Sequence, residues 1–173
     1  MRPFTRECLE LANKHFEVGI FTAAQQEYAD IIINYLDPTG QLIQHRFYNN
    51  HTNSLTDLLG TQQVVFKDLS FLKGEVDLAR TLLIDNNLYC FAYHLENGIP
   101  ILNYEGNQQD RCLLQVMQYL LYIKDFEDMA AENDRIYQLR KLYDSDFTDF
   151  IKFYYSQNNT SRSSASDSGS KID

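Results

Sequence analysis

The sequence predicts an α/β domain, and three observations carry that reading. Helical and extended patterns alternate from the start: a helical face after Pro3, an apolar stretch at Phe16–Phe21 and a helical repeat from Gln25 all precede Gly40, the order of layered α/β folds. Three apolar runs end in polar residues: Phe16–Phe21 in Thr22, Val64-Val65-Phe66 in Lys67-Asp68, and Leu82-Leu83-Ile84 in Asp85-Asn86. A broad amphipathic pattern follows Asp110, as expected of a helix laid on a sheet. Ligands of open α/β sheets bind beyond the carboxyl ends of the strands, so Thr22, Lys67, Asp85 and Asn86 stand where a ligand would be.

Taken in order, Pro3 suits a first helical turn, where its missing N–H costs nothing, and Phe4, Cys8, Leu11 and Ala12 then share one face. After the strand at Phe16–Phe21, residues Tyr28, Ile31, Ile32, Tyr35 and Leu36 recur at helical spacing until Asp37-Pro38-Thr39-Gly40 stops them. Leu42–Tyr48 reads as a short strand. Asn49–Gly60 is a polar excursion, an insertion outside the main sheet, and the strand Gln63–Phe66 follows it. Phe71–Arg80 has loose helical spacing before the strand Thr81–Ile84. Asn97-Gly98 marks a turn ahead of the strand Ile99–Leu102. Leu113, Leu114, Met117, Leu120 and Leu121 form the apolar face of a helix that starts near Asp110. A second helix is expected over Asn133–Tyr143 and a third over Phe147–Tyr155. Beyond Gln157 the chain is Asn, Ser, Asp and Gly, a composition that cannot bury a core.

At 173 residues the chain suits one domain with a full core plus a tail. The expected division is a domain over 1–143, a helical extension over 144–156 and a disordered tail over 157–173. A net charge of −9 argues against direct nucleic-acid binding, which needs clustered cations to neutralise phosphates. Cys8, Cys90 and Cys112 are odd in number and far apart, which fits neither a disulfide frame nor a zinc ribbon and points to a reducing compartment, nuclear or cytoplasmic. The apolar runs are only a few residues long, too short to cross a membrane. Asp125, Glu127 and Asp128 read as solvated surface near a helix end, and His15 and His94 as packed or half-exposed side chains.

The strand-end residues carry the chemistry. A hydroxyl (Thr22), an ammonium (Lys67) and a carboxylate beside an amide (Asp85, Asn86) can hold a phosphoryl oxygen, neutralise its charge and ligate Mg²⁺.

Ordered motifs sharpen this. Phe21-Thr22-Ala23-Ala24 with Glu27-Tyr28-Ala29-Asp30, then Phe66-Lys67-Asp68-Leu69-Ser70, Leu83-Ile84-Asp85-Asn86 and Asn97-Gly98-Ile99-Pro100 together resemble the small C-terminal-domain phosphatases. These are also called nuclear LIM interactor-interacting-factor-like phosphatases, of the haloacid dehalogenase superfamily. The resemblance runs from Arg2-Pro3 to about Arg140. It implies a three-layer parallel sheet with helices on both faces and a small insertion after the second helix. It also implies Mg²⁺-dependent removal of phosphate from phosphoserine or phosphothreonine of a phosphoprotein or peptide, through an aspartyl-phosphate. By that resemblance Thr22 bonds the phosphoryl group, Lys67 stabilises its charge, Asp85 and Asn86 serve the metal, and Arg46, in His45-Arg46-Phe47-Tyr48, serves the substrate.

The sequence also departs from the family. The Asp-x-Asp-x-Thr motif, source of the nucleophile and most of the metal site, belongs to a strand ahead of the helix that begins at Pro3, and this sequence has no such strand. Asn49 stands where members often have Arg, and Asn87-Leu88 where they often have Ser-Pro. The expectation is an N-terminally incomplete domain whose first catalytic strand is missing and which has no turnover. The alternative is a non-catalytic peptide-binding module, similar in fold to a mitochondrial translocase subunit.

Overall fold

The computed structural model describes residues 1–56 and 63–141. Met1–Tyr137 form one compact unit; a second spans Gln138–Asp173, of which only residues 138–141 are described. The boundary expected after residue 143, the run Phe147–Tyr155 and the Ser-rich tail lie outside the described residues.

Helix α1 spans Thr5–Asn13, starting two residues past Pro3, with Phe4 at φ 63° and the Thr5 hydroxyl donating to the Arg2 carbonyl at 2.6 Å. Its expected face is the face it uses. Cys8 is buried in a cluster with Ile99, Val116, Met117 and Leu120, and Phe4, Leu11 and Ala12 pack around it.

Strand β1 is Gly19–Phe21, and helix α2, Gln26–Leu36, crosses from it to β2, His45–Phe47. The two strands pair in parallel, Ile20 opposite Arg46. Helix α2 buries Ala29 and Ile33 against Ile43, Tyr48 and Ile20. All of the series read from its spacing but the half-buried Leu36 points outward: Tyr28, Ile31 and Tyr35 are each more than 60% exposed, and Ile32 is exposed too. Asp30 fixes this rotation by accepting from the Tyr48 hydroxyl at 2.7 Å and from the Arg46 guanidinium at 3.0 Å. Both apolar faces of the helix have the same period, so the polar anchor decides which one turns inward. The following turn is organised by Asp37, 2% exposed, whose carboxylate accepts from the N–H groups of Gln41, Leu42 and Ile43. Burial raises the pKa of this carboxyl, and the Leu42, Ile43 and Gln41 bonds more than offset that, holding it below its usual range.

The insertion is a hairpin. Strand β3, Asn53–Thr56, pairs antiparallel with β4, Gln63–Phe66, so β4 belongs to the insertion, and among the described residues it pairs with no strand of a parallel sheet. The loose helical spacing at Phe71–Arg80 yields two 3₁₀ turns, Leu69–Leu72 and Leu78–Arg80. Each opens on an aspartate, Asp68 or Asp77, that accepts the N–H two residues on, and Gly74 at φ +97° separates them. Such side-chain bonds compete with a continuous helix.

Strand β5, Leu83–Asp85, pairs in parallel with β6, Gly98–Pro100. Helix α3, Cys112–Ile123, supplies the Val116, Met117 and Leu120 side of the core. Helix α4, Met129–Tyr137, begins a turn earlier than its apolar spacing suggests, because Asp128 accepts the Ala131 N–H at 2.7 Å and caps it. The expected parallel sheet is thus present as two parallel pairs, β1–β2 and β5–β6. Among the described residues no helix is long and apolar enough to cross a membrane.

One ion pair ties the start of the chain to the start of α3. Arg2 donates to both Asp110 oxygens, at 3.0 and 2.9 Å, and Asp110 also accepts the Cys112 N–H. The Arg2 hydrogen bond holds the Asp110 carboxyl at about 2, below its ordinary 3.8. A carboxyl whose folded pKa is depressed contributes stability above its unfolded pKa, and that contribution is lost as the pH falls through the folded value. Thermal melts from pH 5 to pH 2 are therefore expected to fall more steeply for the wild-type chain than for Asp110→Asn. Parallel curves would rule the ion pair out as a source of acid sensitivity.

Candidate functional site

The site forms where β1, β4 and β5 end. Lys67 follows β4 and is 7% exposed. Its backbone N–H is held by the Cys90 carbonyl at 3.3 Å. Its ammonium donates to Asp85 Oδ2 at 2.5 Å and lies 5.5 Å from the centre of the Phe21 ring, a cation–π contact. A lysine at the end of a hairpin, a carboxylate ending β5 and an aromatic ring ending β1 therefore meet. Thr22 comes directly after that ring: its N–H donates to the Phe47 carbonyl at 2.9 Å, and its hydroxyl oxygen accepts from the Ala24 N–H at 3.1 Å. The hydroxyl proton remains available to donate to a ligand.

A charge pair this buried must be fully bonded to be tolerated, and Asp85 is: Oδ1 accepts the Asn87 N–H at 2.7 Å. Cys90 is buried nearby. Burial first, and then the Asp85 charge, push its thiol up to about 12, so it is a packed thiol and not a nucleophile. The rings of Phe21, Phe47 and Phe71 meet edge to face with centroids 5.0–5.8 Å apart and wall one side of the site.

Asn86 donates to Asn103 Oδ1. Arg46 is directed to α2, where its guanidinium donates to Asp30 at 3.0 Å and Asn34 at 2.9 Å. The structure thus brings Lys67, Asp85 and the Phe21 ring together, places Thr22 next along the chain from Phe21 and Asn86 next from Asp85, and engages Arg46 elsewhere.

Sequence reasoning missed several neighbours. Asp68 accepts from His94 Nε2 at 2.9 Å, and the same nitrogen lies 3.3 Å from Ser70 Oγ. Because both contacts use one ring nitrogen, the group is not a relay in which the second nitrogen carries the proton. Hydrogen bonds from Ser70, and then from His94, lower the Asp68 carboxyl. The Asp-x-Ser spacing signals the turn at Asp68; nothing local signals His94, which is 26 residues away.

The Mg²⁺ implied by the family resemblance calls for near-octahedral oxygen ligation, usually from more than one carboxylate or from phosphate. Here Asp85 offers both oxygens to protein donors and Asn86 adds one amide. Among the described residues no group of three His, Cys, Asp or Glu side chains is placed to hold an ion. These residues do not by themselves fit the metal, and no step below is routed through it.

The chain is 35% identical over 141 residues to "CTD small phosphatase-like protein 2" of Dictyostelium discoideum, covering 80% of this chain and 23% of that protein. It is 35% identical over 120 residues to "CTD small phosphatase-like protein 3" of Caenorhabditis elegans, covering 69% and 39%. It is 31% identical over 133 residues to "Nuclear envelope morphology protein 1" of Schizosaccharomyces pombe, covering 75% and 26%. The chain thus spans less than half the length of these relatives. Among solved structures, the RNA polymerase II CTD phosphatase Fcp1 of fission yeast, bound to beryllium fluoride, superposes with a TM-score of 0.50 at 18% identity, covering 97% of this chain and 51% of that one. That likeness concerns the fold. The sequence profile of NLI interacting factor-like phosphatases matches residues 1–130, a stretch that contains β1, β4, β5 and every residue gathered at their ends, and the chain belongs to the NLI interacting factor-like phosphatase family.

Proposed function

We propose that residues 1–173 form the phosphoryl-binding part of a protein serine/threonine phosphatase-like site, and that by themselves they bind phosphoprotein without turning it over. The observation that carries the reading is the buried Lys67–Asp85 pair against the Phe21 ring, the residue just before Thr22. An incoming phosphoryl group would accept hydrogen bonds from the Lys67 ammonium, which has two donors beyond the one on Asp85, and from the Thr22 hydroxyl, two charge-assisted bonds in a partly dry pocket. Turnover through an aspartyl-phosphate needs a free, positioned carboxylate. Asp85 is held by Lys67 and the Asn87 N–H, so it does not supply one. The phosphoprotein substrate class rests on the family, whose members here are named CTD small phosphatase-like. The three free thiols support a reducing location, nuclear or cytoplasmic.

The test uses the purified chain with Mg²⁺, a phosphoserine peptide and its unphosphorylated counterpart. Phosphate release is expected at the uncatalysed level, with binding that prefers the phosphorylated peptide by about tenfold or more and weakens about tenfold in Thr22→Ala, as for loss of one bond to a charged group. Turnover that vanishes in Thr22→Ala, or equal affinity for the two peptides, would overturn the proposal.

A further inference from the structure

Lys67 is gripped from one short segment, residues 85–94. At its start Asp85 accepts from the Lys67 ammonium and is itself fixed by the Asn87 N–H. In its middle the Cys90 carbonyl accepts the Lys67 N–H at 3.3 Å. At its end His94 Nε2 lies 2.9 Å from Oδ1 of Asp68, the residue after Lys67. An ionised carboxylate only accepts, so Nε2 carries the proton and donates. The imidazole is firmly mounted. Its side chain is 13% exposed, the His94 backbone N–H donates to the Phe91 carbonyl at 2.8 Å, and the His94 carbonyl accepts from Asn97 at 3.1 Å. Phe91 and Asn97 are both fully buried.

Capping the turn after Lys67 does not need this bond. Asp68 accepts the Ser70 N–H at 2.8 Å, and Asp77 opens the second 3₁₀ turn in the same way through the Ala79 N–H at 2.9 Å. The turn that carries Lys67 has the imidazole bond in addition. Leu69 and Leu72 are buried in that turn, but apolar packing is non-directional and sets its rotation weakly. A lysine has a long, flexible stem, so its ammonium is only as fixed as the backbone it reaches from. A charge-assisted bond one residue on from Lys67 supplies the missing direction.

We propose that His94 is a positioning residue: through Asp68 it fixes the backbone from which Lys67 reaches, and so holds the ammonium where a phosphoryl group would meet it. One end of residues 85–94 grips the ammonium and the other grips the neighbouring carboxylate. Lys67 is thereby spanned between two points of one segment. His94 touches no reacting atom in this role. The meeting with a phosphoryl group rests on the phosphoryl-binding reading; the hold on Lys67 does not.

Two quantities test this on the full chain: the rate at which a pulse of acetic anhydride acylates Lys67, read by mass spectrometry, and the affinity for the phosphoserine peptide. Two variants break the bond. His94→Ala removes the donor, and Asp68→Ser can still cap the turn but is too short to reach His94. Two others are controls: His94→Gln, whose Nε2 stands where the imidazole Nε2 does, and Ile123→Val, a change in the buried core. His94→Ala and Asp68→Ser are each expected to speed Lys67 acylation about tenfold and to weaken phosphopeptide binding about tenfold, the size of one bond to a charged group. Combined, they are expected to do no more than either alone, and either suffices should the other not fold. His94→Gln is expected to stay within about threefold of wild type. Ile123→Val is expected to lower the melting temperature and leave Lys67 as slow to react as in the wild type. Unchanged acylation in His94→Ala and Asp68→Ser overturns the proposal, as do additive effects or a Gln variant as impaired as the Ala one. An equal rise in Ile123→Val marks general loosening and overturns it too. A wild type that binds both peptides alike removes the phosphoryl-binding reading, and the acylation rates then decide the hold on Lys67 by themselves.

Discussion

Lys67→Met is expected to lower the stability of the chain by about 3–5 kcal/mol, the usual effect of leaving a buried carboxylate without its partner. Both side chains of the pair are about one-tenth exposed, at 9% and 10%, so water cannot replace the lost ammonium. Met keeps the length and the apolar stem of Lys, so the loss isolates the charge from the packing against Phe21. Adding Asp85→Leu is expected to recover most of the loss, because burying neither charge is close to neutral against burying both. Denaturant titrations of the wild type, both single variants and the double variant close a cycle that reads the coupling directly. A loss below about 1 kcal/mol in Lys67→Met, as for a surface pair, would show that Lys67 and Asp85 face solvent. A double variant no better than the single one would show that the cost lies in packing.

The second large effect is expected at Asn133, which is 0% exposed. Its amide donates to the Glu96 carbonyl at 2.9 Å and the Gly98 carbonyl at 2.8 Å, and its oxygen accepts from the Tyr119 hydroxyl at 2.8 Å. One side chain on α4 therefore satisfies the chain entering β6 and a tyrosine on α3. Asn133→Leu keeps the branched shape and the number of heavy atoms and leaves these groups without a partner, each at about 1–3 kcal/mol. A total loss of about 3 kcal/mol or more is expected, or roughly 6–12 °C in melting temperature for a chain of this size. Because β6 is the strand paired with β5, loosening it is expected to speed amide exchange in β5 as well. A melting temperature within a degree or two of wild type would mean that water reaches all three groups and that α4 does not hold β6.

The strand ends were legible in the sequence because their marks are local. An apolar run that stops at a polar residue identifies a strand end wherever the strand lies, and this marked Thr22, Lys67, Asp85 and Asn86 before any pairing was known. Helical spacing likewise revealed α1, α2 and α3, and Asp37-Pro38-Thr39-Gly40 marked the stop after α2. What these marks lack is direction and partner. The period of α2 is the same whether Tyr28, Ile31, Ile32 and Tyr35 face the core or solvent; the bonds from Tyr48 and Arg46 to Asp30 turn them outward. The extended pattern of Gln63–Phe66 is the same in a parallel sheet and in a hairpin, and its pairing with β3 decided for the hairpin. The Phe21 ring under Lys67 and the His94 bond to Asp68 both join residues far apart in the chain.

The sequence by itself thus determined which residue types stand at each strand end, since each apolar run and its polar stop are contiguous. Only the tertiary structure decided which of them meet, because a buried charge pair, a rotated helix and an antiparallel strand pair are each defined by a partner that chain position does not reveal.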